Sequence, residues 1–342
     1  MKAVTIRAHG GPEVLEIGER PTPEPGPDEV RIAVRAAGMN HLDCWVRRGV
    51  EGHAFPLPII PGCDGAGVVD AVGTLVHNVA VGDRVAISPG FTDGTSAESL
   101  AGQHHLSRDY GIVGETRDGT DAEFVCVPAR NLLPMPAEMD FPTAAATPLV
   151  FLTAWHMVVE RCHVKAGDDV LVHAAGSGVS MAAIQIAKMH GARVITTAGS
   201  DEKVARGLEL GADVGINYRE KDFLREVKGL TGKRGVDIVV DHVGGENISR
   251  SIRALAKGGR VVTCGATAGP ELVSDLRLIF FKSLSILGST MGGMGEMIEV
   301  WRHVCAGRLR PVVAEVLPLD QVRRGHELLE SRAVFGKVIL EP

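Results

Sequence analysis

The sequence predicts an α/β protein with two domains, a mostly antiparallel barrel-like β domain and a doubly wound parallel sheet of six strands. Three observations lead to this class. Residues 1–87 contain short β-type runs without a helical period, and the chain from about residue 141 alternates between helix and strand patterns. A glycine turn also joins the first strand of the alternating region to its helix.

The β domain begins the chain. Short runs rich in β-branched residues are separated by glycine and proline, and Pro21–Pro27 holds four prolines in seven residues, which predicts an extended connector. One short helix is expected at His41–Arg48. The predicted strands are Ala3–Arg7, Val14–Glu19, Val30–Ala36, Gly67–Val72, Arg84–Ile87 and Ala122–Val127.

A long segment, Ser88–Thr120, interrupts these strands. It is rich in glycine, serine, threonine, histidine and aspartate and has no apolar period, so we predict a loop. A loop of this length inside a compact domain is usually functional or a remnant of a function.

The alternating region opens with Phe141–Val159, which lacks charged residues. Pro142 and Pro148 interrupt it, so a buried helix is expected rather than a membrane span. The predicted elements that follow Met189 are strands at Arg193–Thr197, Val214–Asn217, Val236–Asp241, Arg260–Cys264 and Leu284–Gly288, with helices at Lys203–Leu210, Asp222–Leu230 and Gly244–Ala256.

The stretch Asp169–Lys203 reads as strand, glycine turn, helix and strand, which is a βαβ unit. Glycines in such a turn let the backbone approach a phosphate, and the N-terminus of the helix offers free N–H groups. A glycine turn alone is weak evidence, and a βαβ unit that binds nothing is the alternative.

The tail adds a helix at Glu299–Cys305, strands at Val312–Val316 and Lys337–Leu340, and a helix at Leu319–Glu330. These elements exceed what the parallel sheet needs. We therefore expect the tail to return to the first domain.

The amino-acid composition limits the classes of binding partner that we expect for this protein. The chain has 36 basic and 42 acidic residues and a net charge of −6, which argues against nucleic-acid or anionic-membrane partners and favours a small-molecule substrate. Its six cysteines are far apart without a C-x-x-C pair, which fits a reducing cytoplasm. The N-terminus reads as a strand and not as a signal peptide.

Seven short motifs extend along nearly the whole chain, and they are specific only as a set. They occupy residues 10–15, 36–43, 61–69, 81–85, 174–180, 241–244 and 336–340. Together they resemble the medium-chain dehydrogenase/reductase superfamily, and within it the zinc-independent quinone oxidoreductase and enoyl reductase branch. The resemblance implies a GroES-like catalytic domain (residues 1–127 and 297–342) and a Rossmann domain that binds NADP (residues 128–296).

The sequence departs from the family pattern at the positions where zinc members place their metal ligands. Zinc members place Cys where Asn40 stands and Gly-His-Glu where Gly62-Cys63-Asp64 stands. Asn40 is a poor ligand, and Cys63 with Asp64 does not complete the three protein ligands of a catalytic zinc site. We expect no catalytic metal and favour Cys63 as a small packing residue, with a zinc site completed by His41 or His156 as the alternative.

The long loop departs in the same way. Zinc members carry four cysteines there, and the corresponding spacing falls on Asp93, Ser96, Ser99 and Ser107. Hydroxyl and carboxylate groups do not form a tetrahedral thiolate cage. No structural metal is expected.

The expected cofactor is NADPH rather than NADH. NAD enzymes usually end the second strand with an acid, whereas here the first acid, Asp201, is predicted to cap the next helix. In the resembling reductases, residues at the places of Lys203 and Tyr218 hold the 2′-phosphate, and Arg219 is a further candidate. The complete set of expected cofactor contacts is Thr153, Gly176, Ser177, Gly178, Val179, Ser200, Lys203, Tyr218, Gly265, Phe281 and Lys337.

Without a metal, hydride addition to an activated alkene is favoured over alcohol oxidation, because the charge then develops on an enolate that hydrogen-bond donors can meet. The predicted substrate is a quinone, an enone or an enoyl thioester such as an enoyl-CoA. The resemblance places Asn40, His41 and Trp45 at the catalytic end, with water as an alternative proton source. Arg47 and Arg48 are read as a solvated face rather than a CoA-phosphate site.

Other interpretations remain open. One is a zinc-type alcohol dehydrogenase with an atypical metal site at Cys63 and Asp64, and another is a nucleotide-binding protein without turnover. Phe280 and Phe281 are expected to pack beside the nicotinamide or in the core. Leu284–Gly288 reads as an apolar edge strand, so a homodimer through residues 284–288 is expected.

Overall fold

The computed structural model describes every residue from Met1 to Pro342. The chain forms two compact units: Met1–Leu149 with Gly293–Pro342, and Val150–Gly292. Two-unit organisation with a returning tail is what the sequence predicts. The expected break after residue 127 is too early, however, because β9 (Leu132–Pro134) pairs with β5 (Arg84–Ile87) and helix α3 (Phe141–Ala145) packs on strands of the first unit.

The first unit is built on a seven-stranded sheet. Its strands follow the order β16-β17-β3-β4-β5-β9, with β8 also paired to β3. The pairs are antiparallel apart from β16 and β17, which run parallel. The remaining strands of this unit are β1 (Lys2–Ile6), β2 (Leu15–Glu19), β3 (Glu29–Gly38), β4 (Asp64–Val72), β6 (Gly90–Phe91), β7 (Gly111–Ile112), β8 (Phe124–Pro128), β16 (Val313–Pro318) and β17 (Lys337–Glu341).

Helices of the first unit lie between and after these strands. Helix α1 (His41–Arg48) has the predicted bounds, and the last helix is α11 (Val322–Glu330). The segment expected as a plain loop contains the short pair β6–β7, so that expectation needs correction in detail. The other helices are α2 (Ala97–Leu100) and α10 (Met294–Cys305), with 3-10 turns at Pro12–Val14, His104–Leu106, Ala129–Asn131 and Leu319–Gln321.

The second unit is a parallel sheet of six strands in the order β12-β11-β10-β13-β14-β15. Numbered from its own first strand, this is the 3-2-1-4-5-6 order of a Rossmann fold, which confirms the predicted fold class. The strands are β10 (Asp169–Val172), β11 (Arg193–Ala198), β12 (Val214–Asn217), β13 (Val236–Val240), β14 (Leu255–Thr263) and β15 (Ser285–Gly288).

Helices flank this sheet because each carries an apolar face that the strands bury. Phe223, Val227 and Ile252, for example, pack with strand residues in one buried cluster. The helices are α4 (Pro148–Trp155, continuing as a π-helix at His156–Arg161), α5 (Gly178–Met189), α6 (Asp201–Glu209), α7 (Phe223–Leu230), α8 (Gly245–Ala254) and α9 (Leu276–Lys282), of which α9 was not predicted. None of the helices has the length and apolar character needed to cross a membrane.

Candidate active site

The Rossmann unit presents the N-terminus of α5 at the end of β10. Ser177 is the N-cap residue, and its side chain does not cap the helix, so the first-turn N–H groups are left to other partners. The predicted contacts Gly176, Ser177, Gly178 and Val179 all lie at this turn. Ligands of doubly wound sheets bind beyond the carboxyl ends of the strands at the point where strand order reverses, which here is between β10 and β13.

Ser180 stands where the nucleotide-binding fingerprint usually has its third glycine, and it is fully buried. Its hydroxyl lies 2.5 Å from the carbonyl oxygen of His173 and 2.8 Å from Nε2 of His242. Since the hydroxyl donates its only hydrogen to the carbonyl, Nε2 of His242 is the donor in the second bond. The serine is therefore accommodated by specific bonds and does not push the helix away.

A buried polar network that sequence reasoning missed lies below this turn. Nδ1 of His173 is 3.0 Å from the Thr197 hydroxyl, and its Nε2 is 2.9 Å from the Ser251 hydroxyl, which donates to Asp241. Asp241 also accepts the N–H groups of Val243 and Gly244. Burial lowers the pKa of His173 to about 4, so a neutral imidazole connects the ends of three strands.

The far end of the second strand forms a basic corner. Ser200 caps α6 by accepting the N–H of Lys203 at 3.3 Å, and a Cβ added to Gly199 would lie 2.7 Å from the Tyr218 hydroxyl and 3.5 Å from Nε of Arg219. Partial burial lowers the pKa of Lys203, the neighbouring Glu202 opposes this shift, and the cations Arg219 and Arg206 lower the pKa further. Three cations are therefore close enough to disfavour one another, which an anion between them would relieve.

The first acid after the second strand, Asp201, is already engaged, and its neighbour Glu202 interacts with Lys203. Oδ1 of Asp201 accepts a hydrogen bond from Nδ2 of Asn217 at 2.9 Å, and Asp201 begins α6. A hollow of about 340 Å³ adjoins the corner and is lined by Tyr218, Arg219, Asn247 and Arg250, among others.

The other expected cofactor contacts of this unit are more scattered. Thr153 is buried in α4, with its hydroxyl 3.9 Å from the Met291 sulfur, and Gly265 follows β14. Phe280 and Phe281 are 61% and 72% exposed, so the alternative that they form core is wrong. The role of Phe281 beside the nicotinamide stays a prediction.

In the GroES-like unit, Asn40 lies at the start of α1. Its backbone N–H donates to Asp43 at 2.6 Å, as expected of a capping aspartate. His41 and Trp45 follow one turn apart on the same helix, and both are half-buried. The structure therefore places all three expected catalytic residues on one short element.

Two neighbouring arginines on this helix behave differently. Arg47 is fully buried and pairs with Glu330, so its predicted assignment to a solvated face is wrong. Arg48 is exposed, as predicted, and reaches the same carboxylate at 3.0 Å.

The side chain of Asn40 is engaged on both sides within this unit. Its Nδ2 lies 3.0 Å from the Gly38 carbonyl, 3.2 Å from the Cys63 sulfur and 3.0 Å from Oδ2 of Asp64. Its Oδ1 accepts from Nζ of Lys337 at 2.5 Å, and the same ammonium is 3.0 Å from Oδ2 of Asp64. Lys337 was expected at the cofactor, but its buried ammonium is committed to this cluster.

The backbone conformation of Gly62 places Cys63 and Asp64 in the cluster around Asn40. It has φ of +95°, in the left-handed region, and an added Cβ would lie 2.4 Å from Oδ1 of Asp121. Burial raises the pKa of Asp121 well above its usual range and that of Asp43 to about 7. One oxygen of Asp121 has no hydrogen-bond partner.

The loop at residues 88–120 contains a second polar cluster, made of hydroxyl groups. Ser96 lies 2.6 Å from Ser107 and 3.2 Å from Ser99, and Thr92 lies 2.8 Å from Ser99, measured between side-chain oxygens. Asp93, expected as the fourth member, instead accepts from Thr95. We call Thr92, Ser96, Ser99 and Ser107 the hydroxyl cluster.

Comparisons with known proteins fit this geometry. A model of the alcohol dehydrogenase GroES-like domain matches residues 26–137, and a model described as zinc-binding dehydrogenase matches residues 178–306. Human quinone oxidoreductase is 31% identical over 99% of this chain and 97% of its own. The chain belongs to the medium-chain dehydrogenase/reductase superfamily, in its quinone oxidoreductase-like branch.

Solved structures of this superfamily include several close matches. One described as an NAD-dependent alcohol dehydrogenase is 53% identical, with a TM-score of 0.97 and full coverage of both chains. A cobalt- and zinc-bound thermostable alcohol dehydrogenase from Pyrobaculum aerophilum is 34% identical, with a TM-score of 0.90, and the match covers 100% of this chain and 99% of that one. A crotonyl-CoA carboxylase/reductase is 28% identical, with a TM-score of 0.93, over 100% of this chain and 88% of that one. The protein is thus a nicotinamide-nucleotide-dependent oxidoreductase.

The zinc named by one of these matches can be tested against the residues of this medium-chain enzyme. A catalytic zinc ion needs deprotonated or neutral donor atoms around an open position. Here an amide, Asn40, stands beside Cys63 and donates to its sulfur, and Asp64 already binds the Lys337 ammonium. These residues do not fit a catalytic zinc ion.

The hydroxyl cluster is equally unsuited to a structural zinc ion. Its four members are hydroxyl groups that bind one another, with Ser107 also donating to Asp109, and they supply no thiolate. The expectation about donor chemistry in this loop thus agrees with the arrangement of the side chains.

Proposed function

We propose that the protein is an NADPH-dependent reductase that adds hydride to the activated C=C bond of a quinone, an enone or an enoyl thioester, without a metal ion. The observation that carries this proposal is the basic corner of Lys203, Tyr218 and Arg219 at the end of the second strand, where the strand-end acid Asp201 is engaged with Asn217. The quinone oxidoreductase and crotonyl-CoA carboxylase/reductase relatives support the reaction class.

The Rossmann unit fits NADPH at two places. The uncapped N-terminus of α5 suits the pyrophosphate, because its N–H groups and helix dipole favour negative charge. Lys203, Arg219 and the Tyr218 hydroxyl suit the 2′-phosphate, because they offer two cations and a hydrogen-bond donor around the small residue Gly199. When bound, NADPH supplies the hydride.

The GroES-like unit contributes a polar side chain of fixed orientation and a proton source. Asn40 is held by Lys337 and Asp64, so its carboxamide has a fixed orientation. His41 is half-buried one residue further along α1, and a histidine of this kind can donate a proton to an enolate as hydride arrives. Trp45 lies on the same face and can stack on or donate its N–H to a flat substrate, but it does not supply a proton.

A Lys203→Ala variant tests the cofactor assignment. Loss of a charge-assisted bond to a phosphate costs about 1.5–3 kcal/mol, so kcat/KM for NADPH should fall about 10- to 100-fold while that for NADH changes little. Lys228→Ala, at an exposed lysine of the same unit, is the matched control. Unchanged NADPH kinetics in the Lys203 variant would contradict the assignment.

A substrate panel tests the reaction class. NADPH oxidation should be fastest with a quinone, an enone or an enoyl-CoA, and slow with an aldehyde. The competing proposal is a zinc-type, NAD-linked alcohol dehydrogenase, favoured by the 53% identical structure described as such. Efficient aldehyde reduction that chelators abolish, together with a preference for NADH, would establish the competing proposal and exclude ours.

We also propose that the protein is a homodimer through residues 284–288. Strand β15 is the last of the six-stranded sheet and is paired only to β14. Leu276, Phe280, Phe281 and Ile286 leave apolar side chains exposed on and beside it. Light scattering should give twice the chain mass of 36.2 kDa, and Ile286→Lys should shift the protein toward the monomer. A monomeric wild-type protein at micromolar concentration would refute this assembly.

A further inference from the structure

The cluster around Asn40 contains a buried cation, Lys337, for which the sequence predicted a cofactor contact and not a place in this cluster. Lys337 is 3% exposed, and Asp64, its ion-pair partner, is fully buried. The second oxygen of Asp64 accepts the backbone N–H of Leu149 at 2.8 Å. Both oxygens of this carboxylate and the ammonium are therefore satisfied inside the protein, as a stable buried ion pair requires.

Strand register explains why Lys337 is found here. Strands β17 and β3 run antiparallel with Ile339 opposite Gly38, and continuing that register places Lys337 opposite Asn40. The neighbouring strand β4 places Asp64 opposite Gly38 on the other side of β3. The sheet thus brings together the ammonium of β17, the carboxylate of β4 and the amide of Asn40, which follows β3 at the start of α1.

We propose that Lys337 is the built-in cation of this site, which takes the place of a divalent metal ion among Asn40, Cys63 and Asp64 and positions the Asn40 carboxamide. These three positions match those at which zinc members carry their Cys, His and Glu. The ammonium balances the charge of Asp64 and repels any second cation at contact distance. Lys337 acts through Asn40 and is a positioning residue, not a catalytic one.

Metal binding by designed variants tests the exclusion of cations. Asn40→Cys with Cys63→His restores zinc-type donors beside Asp64, and the triple variant adds Lys337→Ala. After EDTA treatment, each protein is titrated with Co²⁺ without air, and the visible absorption of bound cobalt is followed. The triple variant should bind one equivalent at least about 100-fold more tightly than the double variant, and the wild-type protein should bind none at this site.

A matched control replaces a lysine elsewhere. The double variant carrying Lys188→Ala, which removes a surface lysine paired with Asp213, should behave like the double variant alone. Equal cobalt affinity in the double and triple variants would overturn the proposal, as would stoichiometric zinc in wild-type protein purified without added metal. NADPH binding by fluorescence reports whether the Rossmann unit of each variant is folded.

A double-mutant cycle tests the ion pair without any metal. Lys337→Met should lower the melting temperature strongly, because it leaves Asp64 charged and buried, whereas Lys337→Met combined with Asp64→Asn should recover part of the loss. Lys337→Arg should retain more kcat than Lys337→Met, with a smaller change in KM. Additive losses of stability in the cycle would count against the pairing.

This inference rests on the proposed function only for its kinetic readout. If no quinone, enone or enoyl-CoA is reduced but cobalt binding follows the expected order, the proposed function fails and the role of Lys337 stands. If the reductase activity is found but the double variant binds cobalt as tightly as the triple, the role of Lys337 fails alone.

Discussion

Acid should destabilise the protein through His173, the neutral imidazole at the centre of the buried network. In the unfolded chain a histidine has a pKa of about 6.5, whereas burial lowers the pKa of His173 to about 4 in the folded protein. At pH 7 both states are neutral and the group contributes no pH dependence. Between about pH 6.5 and pH 4 only the unfolded chain binds the proton, so the free energy of unfolding falls with falling pH.

The size of this loss follows from the two pKa values. One pKa unit corresponds to about 1.4 kcal/mol, which gives a loss of about 2 kcal/mol at pH 5 and about 3 kcal/mol at pH 4. Other groups also titrate over this range. The contribution of His173 must therefore be measured as a difference between the wild-type protein and a variant that cannot be protonated there.

Urea unfolding of wild-type and His173→Gln proteins at pH 7 and pH 5 makes that measurement. The glutamine retains a donor and an acceptor but has no proton to gain. The stability advantage of the wild-type protein should shrink by about 2 kcal/mol between pH 7 and pH 5. His77→Gln, at an exposed histidine, controls for the loss of an imidazole. An advantage that is the same at both pH values would refute the argument.

Three further outcomes are expected. Ser99→Ala should cost about 1–2 kcal/mol in thermal unfolding, because it removes two hydroxyl bonds within the hydroxyl cluster, whereas Ser331→Ala at an exposed site should cost less. Arg47→Ala should lower the free energy of unfolding by about 3 kcal/mol, because it removes a fully buried side chain that binds Glu330 and the Gly10 carbonyl, against less than about 1 kcal/mol for the exposed Arg48→Ala. His41→Gln should lower kcat for an enone about 100-fold and flatten its pH profile, and an unchanged profile would assign the proton to water.

The periodic patterns of apolar residues in the sequence predicted most of the architecture of this chain. The alternating strands and helices after residue 141 predicted all six strands of the parallel sheet, because each buried strand and amphipathic helix has its own repeat. Helix α9 (Leu276–Lys282) was not predicted, since only Leu278 and Ile279 pack against the core while Leu276, Phe280 and Phe281 are exposed, which leaves no one-sided apolar pattern. The short strands in the loop at 88–120 were also not predicted. Hydroxyl and backbone hydrogen bonds hold them in place, so the sequence there shows no apolar repeat.

Site chemistry was predictable only where neighbours in sequence are neighbours in space. The glycine turn and the residues after the second strand are of this kind, and their placement follows from one βαβ unit. The network of His173, Ser251 and Asp241 joins residues up to 78 positions apart, so no local sequence spacing predicts it. Lys337 and Asn40 lie 297 positions apart, and only the register of β17 on β3 reveals that they meet.

At the two places where zinc members bind metal, this protein has two different kinds of polar cluster. At the hydroxyl cluster, neutral hydroxyl groups bind one another and Asp109, so removing one member loses only a bond or two. Around Asn40, Lys337 neutralises a fully buried carboxylate, so removing the cation leaves a charge without a partner. The loop should therefore tolerate substitution far better than the Asn40 cluster does. That difference follows from charge and burial alone, because both clusters occupy the same unit and lack thiolate ligands.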